Sequence, residues 1–367
     1  MLKKFAVTNF KGFKDRIELD LSKHRNYGFN EFAIVDGIVK DGIIYGPNGS
    51  GKSNFGYALF DIVGHLSQNN FNRSIYENST FACNPDTLMK FEYTFDFNGQ
   101  IVEYVYTQNR KAQLVDECLR VNGNQVFSKD ERGLKIRKDE FPVTDDKITL
   151  LSSNVNNISI INFLVSSFPL ENGHYLNSLK QFVESMLWFR CLENRGFMGL
   201  QNHVANIEEF VIENNLLDDL SAFLKDVSGQ KYVFSKPEKG EKLLYCLIDE
   251  NRIPFASVMS TGTSSLLLLY YWLQNMNDAS FVFIDEFDAF YHFSLSMAVC
   301  MKLFALCNTQ VILTSHNTYL MTNDLLRPDC NFIINNNEIK ALCDCTEKEL
   351  RWGHNIEKMY RGGAFEL

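Results

Sequence analysis

An α/β fold with a mainly parallel core sheet is what this sequence predicts, and three observations predict it. Gly42–Tyr45 is a short apolar strand, Gly46–Ser53 is a glycine-rich loop, and Ser53–Leu66 has the pattern of a helix. Two further apolar strands, Phe281–Ile284 and Gln310–Leu313, end abruptly in polar residues, as strands do at the ligand edge of an open α/β sheet. Between the glycine loop and these strands, Phe91, Tyr93, Phe95 and Phe97 alternate with polar residues and run into Asn98-Gly99, the strongest short hairpin signal. That period of two adds an antiparallel β-layer.

The loop satisfies G-x-x-x-x-G-K-[ST] at every fixed position: Gly46, Pro47, Asn48, Gly49, Ser50, Gly51, Lys52, Ser53. Its glycines let the backbone curl with N–H groups turned inward, and the helix start adds a positive dipole end. Lys52 is then the charge for the β/γ-phosphates, and Ser53 the hydroxyl for Mg²⁺. A chance glycine turn would lack the strand before it and the helix after it. The expected ligand is ATP with Mg²⁺.

Bulk composition sets limits. The chain has 367 residues, 45% hydrophobic and 22% charged, with net charge -9. Length suggests two domains, or one with a large insertion. A broadly basic nucleic-acid face is not expected, although a local basic patch is compatible with the balance. The nine cysteines form no zinc spacing and no disulfide framework, which suits a reduced cytoplasm. Leu266–Leu273 is the longest apolar run, far below the ~20 residues of a membrane helix.

Along the chain, Phe5–Phe10 and Arg16–Leu21 read as strands around a turn at Lys11-Gly12, and Asn69–Thr80 as an exposed loop. After the Asn98-Gly99 hairpin, Gln113–Val121 is a third strand ending at Asn122-Gly123. The aromatic face of this meander is expected to be a core face, not a stacking platform for bases. From Asn156 to Lys225 the apolar spacing turns helical through Val204, Ile207, Val211, Leu217, Leu220 and Leu224, with no heptad run. Lys231–Phe234 and Leu243–Ile248 read as another hairpin joined through Pro237–Gly240. The resulting division is 1–150 for the first part of the α/β unit, 151–230 for a helical insertion and 231–367 for the second part.

Three more motifs carry chemistry. Phe281–Glu286 is an apolar strand ending in two carboxylates: Asp285 to hold Mg²⁺, and Glu286 to polarise the attacking water. His316, in Thr314-Ser315-His316-Asn317 after the next strand, is placed to reach the γ-phosphate or that water. Ser260-Thr261-Gly262-Thr263 opens an apolar helix, so Ser260 and Gly262 form either a second phosphate contact or a plain helix cap, and both can hold.

This order of motifs resembles the ATP-binding-cassette heads of the structural-maintenance-of-chromosomes, RecF and overcoming-lysogenization-defect (OLD) families. Phe5–Phe13 looks like their N-terminal strand and turn. Asp285-Glu286-Phe287-Asp288 with His292, and the tail Leu350–Asn355 with Tyr360 and Gly363-Ala364-Phe365, are similar to the AAA15 branch of OLD-like ATPases. The resemblance implies a P-loop head of cassette type, standing alone without a TOPRIM nuclease domain. It also implies a homodimer or higher homo-oligomer in which the signature turn of one subunit caps ATP held by another. Hydrolysis would then serve a separate effector, a nuclease or toxin, in anti-phage defence. A repair ATPase acting directly on DNA and an assembly scaffold with little hydrolysis are the alternatives. The signature here is Ser-Thr-Gly-Thr, not Leu-Ser-Gly-Gly-Gln, and Gln68 and Gln100 both stand open for the Q-loop position.

Overall fold

The computed structural model describes residues 1–67, 76–152, 158–190, 197–200, 206–289 and 291–365. The chain opens with strands β1 (Leu2–Thr8) and β2 (Ile17–Asp20). A small ribbon follows, β3 (Ile34–Val35) and β4 (Ile38–Val39), then β5 (Asp41–Tyr45) and helix α1 (Lys52–Leu66). The meander is β6 (Met89–Phe97), β7 (Gln100–Gln108), β8 (Leu114–Val121), β9 (Asn124–Asp130) and β10 (Gly133–Ile136). Helices α2 (Asp145–Ser152), α3 (Ile160–Ser167) and α4 (Tyr175–Glu184) precede β11 (Met186–Arg190) and β12 (Phe197–Gly199). Then come α5 (Ile207–Glu213), α6 (Leu217–Ser228), β13 (Tyr245–Ile248), β14 (Asn251–Pro254) and α7 (Thr261–Asn275). The chain continues through β15 (Phe281–Asp285), α8 (Phe293–Phe304), β16 (Gln310–Ser315), β17 (Asn331–Asn335), β18 (Glu338–Ala341) and α9 (Ile356–Arg361).

Two seven-stranded sheets carry the molecule. The core sheet has the order β12-β11-β15-β16-β5-β17-β18. Its five inner strands are parallel, and only the edge strands β12 and β18 run antiparallel. The second sheet, β10-β9-β8-β7-β6-β1-β2, is antiparallel throughout. The chain therefore forms the expected α/β fold, with a mainly parallel core and an antiparallel layer.

Helix α1 lies between the sheets, which explains why it is buried along most of its length. Toward the core sheet, Gly56 permits close approach: a Cβ there would stand 2.7 Å from the Phe283 ring. Toward the other sheet, the Tyr93 hydroxyl donates to the Ala58 and Leu59 carbonyls, and the Tyr106 hydroxyl to Asp61 at 2.7 Å. Phe91, Tyr93 and Phe95 are buried, so the aromatic face of the meander is core. Asn98 (φ 55°) and Gly99 (φ 85°) form a two-residue turn with both central residues left-handed, the geometry that matches strand twist.

Two expectations are corrected. The stretch 151–230 is not wholly helical, because Met186–Arg190 forms β11 in the middle of the core sheet, paired in parallel with β15. A five-residue run buried on both faces has no period of two, and apolar spacing alone does not separate it from a helix turn. The division at 151 and 230 therefore does not bound a separate layer. In the second case, the ladder partner of β13 is β14, while Phe234 makes a single bridge to Cys246. Val204, Asn156 and most of the loop expected at Asn69–Thr80 lie outside the described residues.

Candidate nucleotide site

Strands β15, β16 and β5 are neighbours, and all three end at the same edge of the core sheet. The sheet therefore delivers Asp285-Glu286, His316 and the glycine loop side by side. Asn48, Gly49, Gly51, Lys52, Ser53, Asn54, Glu286 and His316 line one cavity of about 200 Å³.

The loop needs its glycines. A Cβ on Gly46 would stand 2.6 Å from Ser50 Oγ and 2.7 Å from the Ile334 carbonyl on β17. Gly51 has φ 102° and presses against the Phe13 ring, which a Cβ would meet at 2.7 Å. Among the described residues the buried Ser50 Oγ has no hydrogen-bond partner, and a phosphate oxygen would supply one.

Lys52 is buried, and its ammonium donates to the carbonyls of Gly46 (2.8 Å) and Pro47 (3.1 Å) and to His316 Nδ1 (3.3 Å). An ammonium only donates, so Nδ1 accepts and the ring proton sits on Nε2. That nitrogen faces Glu286 Oε1 at 3.5 Å. Lys52, His316 and Glu286 thus form a row across the cavity. Burial lowers the Lys52 pKa, and Glu286, Asp285 and Asp288 oppose that shift.

The carboxylates are held from β16. Thr314 Oγ1 donates to Asp285 Oδ1 at 2.7 Å and accepts from the Glu286 N–H at 2.8 Å. Glu286 sits at φ 50°, a left-handed conformation uncommon for a residue with a side chain. Ser315 Oγ donates to Asp288 Oδ2 at 2.7 Å, and burial raises the Asp288 pKa. Among the described residues no group of three or more His, Cys, Asp or Glu is arranged to hold a metal ion. Mg²⁺ does not require one: it is commonly held by one or two protein oxygens, with water and substrate phosphates completing the shell. Ser53, which lines the cavity, and Asp285, at the end of the next strand but one, fit that donor set.

Ser260 and Gly262 are elsewhere. Ser260 caps α7 by accepting from the Thr263 N–H at 3.1 Å, and neither residue lines the cavity. Of the two Q-loop candidates, Gln100 begins β7 at the tip of a hairpin and Gln68 lies outside the described residues.

Sequence reasoning passed over several neighbours. Thr314 and Ser315 stand in the quoted motif, but a hydroxyl's role as clamp is visible only once its partners are placed. Asn54 lies 3.7 Å from the Cβ position of Gly12, so the Lys11–Phe13 turn borders the cavity. Lys11 stands 3.8 Å over the Tyr57 ring and Arg190 4.9 Å from it. Burial, then Arg190, pushes the Lys11 amine down to about 8.

Residues 43–322 match the protein family described as "AAA domain, putative AbiEii toxin, Type IV TA system". The chain belongs to this family. The match runs from the strand before the glycine loop to just beyond His316, so the family's domain contains every residue named as lining the cavity. No curated protein sequence matches the chain. Similar solved structures include an SmcHead bound to the C-winged helix domain of ScpA, at 15% identity and TM-score 0.47, covering 92% of this chain and 96% of that one. They also include the SMC head domain from Thermotoga maritima (16%, TM-score 0.42, 92% and 97%). A third is the Smc head domain with an extended coiled coil bound to the C-terminal domain of ScpA, derived from Pyrococcus furiosus (14%, TM-score 0.43, 92% and 95%). No helix among the described residues is long and apolar enough to cross a membrane.

Proposed function

We propose that this chain is a cassette-type ATPase of the OLD-like, AAA15 kind that dimerises around Mg-ATP and serves a separate effector in bacterial anti-phage defence. One observation carries the ATPase reading: Lys52, Glu286 and His316, from three adjacent strand ends, face a single cavity. The tail motif Leu350–Phe365 supports the branch. The family's description as a putative toxin of a type IV TA system suits a two-component arrangement with a nuclease or toxin.

The residues divide the work as follows. The inward N–H groups of the loop and Lys52 bind the phosphates, with Lys52 exchanging the Gly46 and Pro47 carbonyls for phosphate oxygens. Ser53 and Asp285 are the residues that would hold Mg²⁺, which when bound would supply positive charge against the phosphates. Glu286 takes the proton of the attacking water, and its strained backbone, pinned by Thr314, fixes where the carboxylate points. His316 presents its Nε2–H to the same cavity, beside Glu286.

A cavity of about 200 Å³ is below the roughly 300–1,000 Å³ of a complete small-molecule site. It takes the phosphate end and leaves the nucleotide uncovered. The cap of α7, with Ser260 and Gly262, supplies the missing wall when a second copy brings it there. ATP then acts as the adhesive of the dimer and hydrolysis as its release, because nucleotide binds the closed state more tightly than the open one. Glu286→Gln tests this reading. ATP should still bind, turnover should fall by about 10²-fold or more, and closed dimers should accumulate. Wild-type turnover in that variant would remove Glu286 from the role of base.

A further inference from the structure

Residues Trp352–Lys358, which overlap the tail motif Leu350–Asn355, have no part in the nucleotide cavity, yet they wall a second cleft. This cleft has a volume of about 510 Å³ and is closed on its other sides by the start of α8 and by the segment after β16. Asn323 fixes the tail there, donating to the carbonyls of Arg351 (3.0 Å) and Trp352 (2.9 Å). Three aromatic rings on these walls stand in solvent: Phe293 at 41%, Tyr319 at 56% and Trp352 at 53% exposure. Phe293 and Tyr319 pack at 5.7 Å between ring centroids. So much exposed aromatic surface in one concave place is the composition of an interaction site, not of a solvated face.

Two features say what fits there. The first is position. Tyr319 follows His316 by three residues, and α8 begins eight residues after Asp285. The two segments are tied by the bond from Ser315 Oγ to Asp288 Oδ2. The cleft therefore adjoins the strand ends that carry Glu286 and His316. The second feature is charge. Asp324 and Lys358 are both exposed on its lining, and neither has an ion-pair partner among the described residues. A surface that carries one unpaired charge of each sign is complementary to itself after a half-turn, which a two-fold contact requires.

We propose that this cleft is the face through which a second copy of the chain docks, with Asp324 of each protomer meeting Lys358 of the other. The proposal rests on the nucleotide-driven association put forward above and names its surface. Charge reversal tests it. Association would be measured by analytical ultracentrifugation with a non-hydrolysable ATP analogue and Mg²⁺, and binding of a fluorescent analogue in parallel. Asp324→Lys alone and Lys358→Asp alone each create two like-charge contacts and should weaken association at least tenfold, with nucleotide binding to the monomer unchanged. Mixing the two single variants should restore association, since in the mixed dimer both contacts again join opposite signs. The double variant Asp324→Lys/Lys358→Asp should also associate. Single variants that associate like wild type would overturn the docking face, as would a mixture no better than its components. A wild-type chain that binds the analogue yet never associates would instead bring down the functional reading itself.

Discussion

At Thr314 one hydroxyl serves two neighbours: its only proton goes to Asp285, and its lone pair accepts the Glu286 N–H. Thr314→Val keeps the shape and loses both bonds, leaving a buried carboxylate oxygen and a buried N–H unpaired. We expect a stability loss of about 2–4 kcal/mol and at least a tenfold drop in turnover, with the nucleotide dissociation constant little changed. Thr314→Ser should recover most of both, by denaturant unfolding and by steady-state kinetics. Equal defects in the Ser and Val variants would mean that the hydroxyl is not what matters. Lys11 gives a pH-dependent test. Its pKa in the folded chain is about 8, against an ordinary 10.5, so burying its charge costs stability at every pH below 8. The cost fades between 8 and 10.5, where only the unfolded chain keeps the proton. Lys11→Met should therefore be more stable than wild type at pH 7 by about 1–2 kcal/mol, after allowance for solvent screening. The difference should vanish near pH 10.5, and a constant difference from pH 7 to 10.5 would contradict the assignment.

The elements were legible where one period dominated and obscure where burial removed it. Glycine loop, strand and helix could be placed from residues 42–66 because each segment has its own signature. The meander could be placed because its aromatic residues alternate and its turns carry Asn-Gly. β11 could not, because Met-Leu-Trp-Phe-Arg is buried as a central parallel strand and offers no alternation. Residue roles followed the same rule. Lys52, Glu286 and His316 were readable since strand ends carry them, whereas Phe13 beneath Gly51 depends on a contact between distant parts of the chain. The packing of α1 makes this measurable. Gly56 lies where any side chain would strike Phe283 on β15, so Gly56→Val should cost about 1–3 kcal/mol through overpacking. Phe283→Leu should relieve part of that cost if the two sites share one contact, and a purely additive double mutant would show that they do not.

At the scale of the whole molecule, the α7 cap is separate from the cavity whose open side it is proposed to cover. Gly262→Arg should therefore leave ATP binding to the monomer nearly intact while blocking association and hydrolysis. Lys52→Ala should lose most ATP binding, because it removes the buried ammonium that lines the cavity. Neither variant should turn over ATP alone. In a mixed dimer, both lesions fall on one composite site and the other site is whole. The most direct measurement is the ATPase rate of an equimolar mixture of Lys52→Ala and Gly262→Arg. The shared-site account predicts that hydrolysis returns in the mixture from two inactive preparations. A Gly262→Arg protein that hydrolyses ATP by itself at the wild-type rate would contradict the account, since its site would then be complete within one chain.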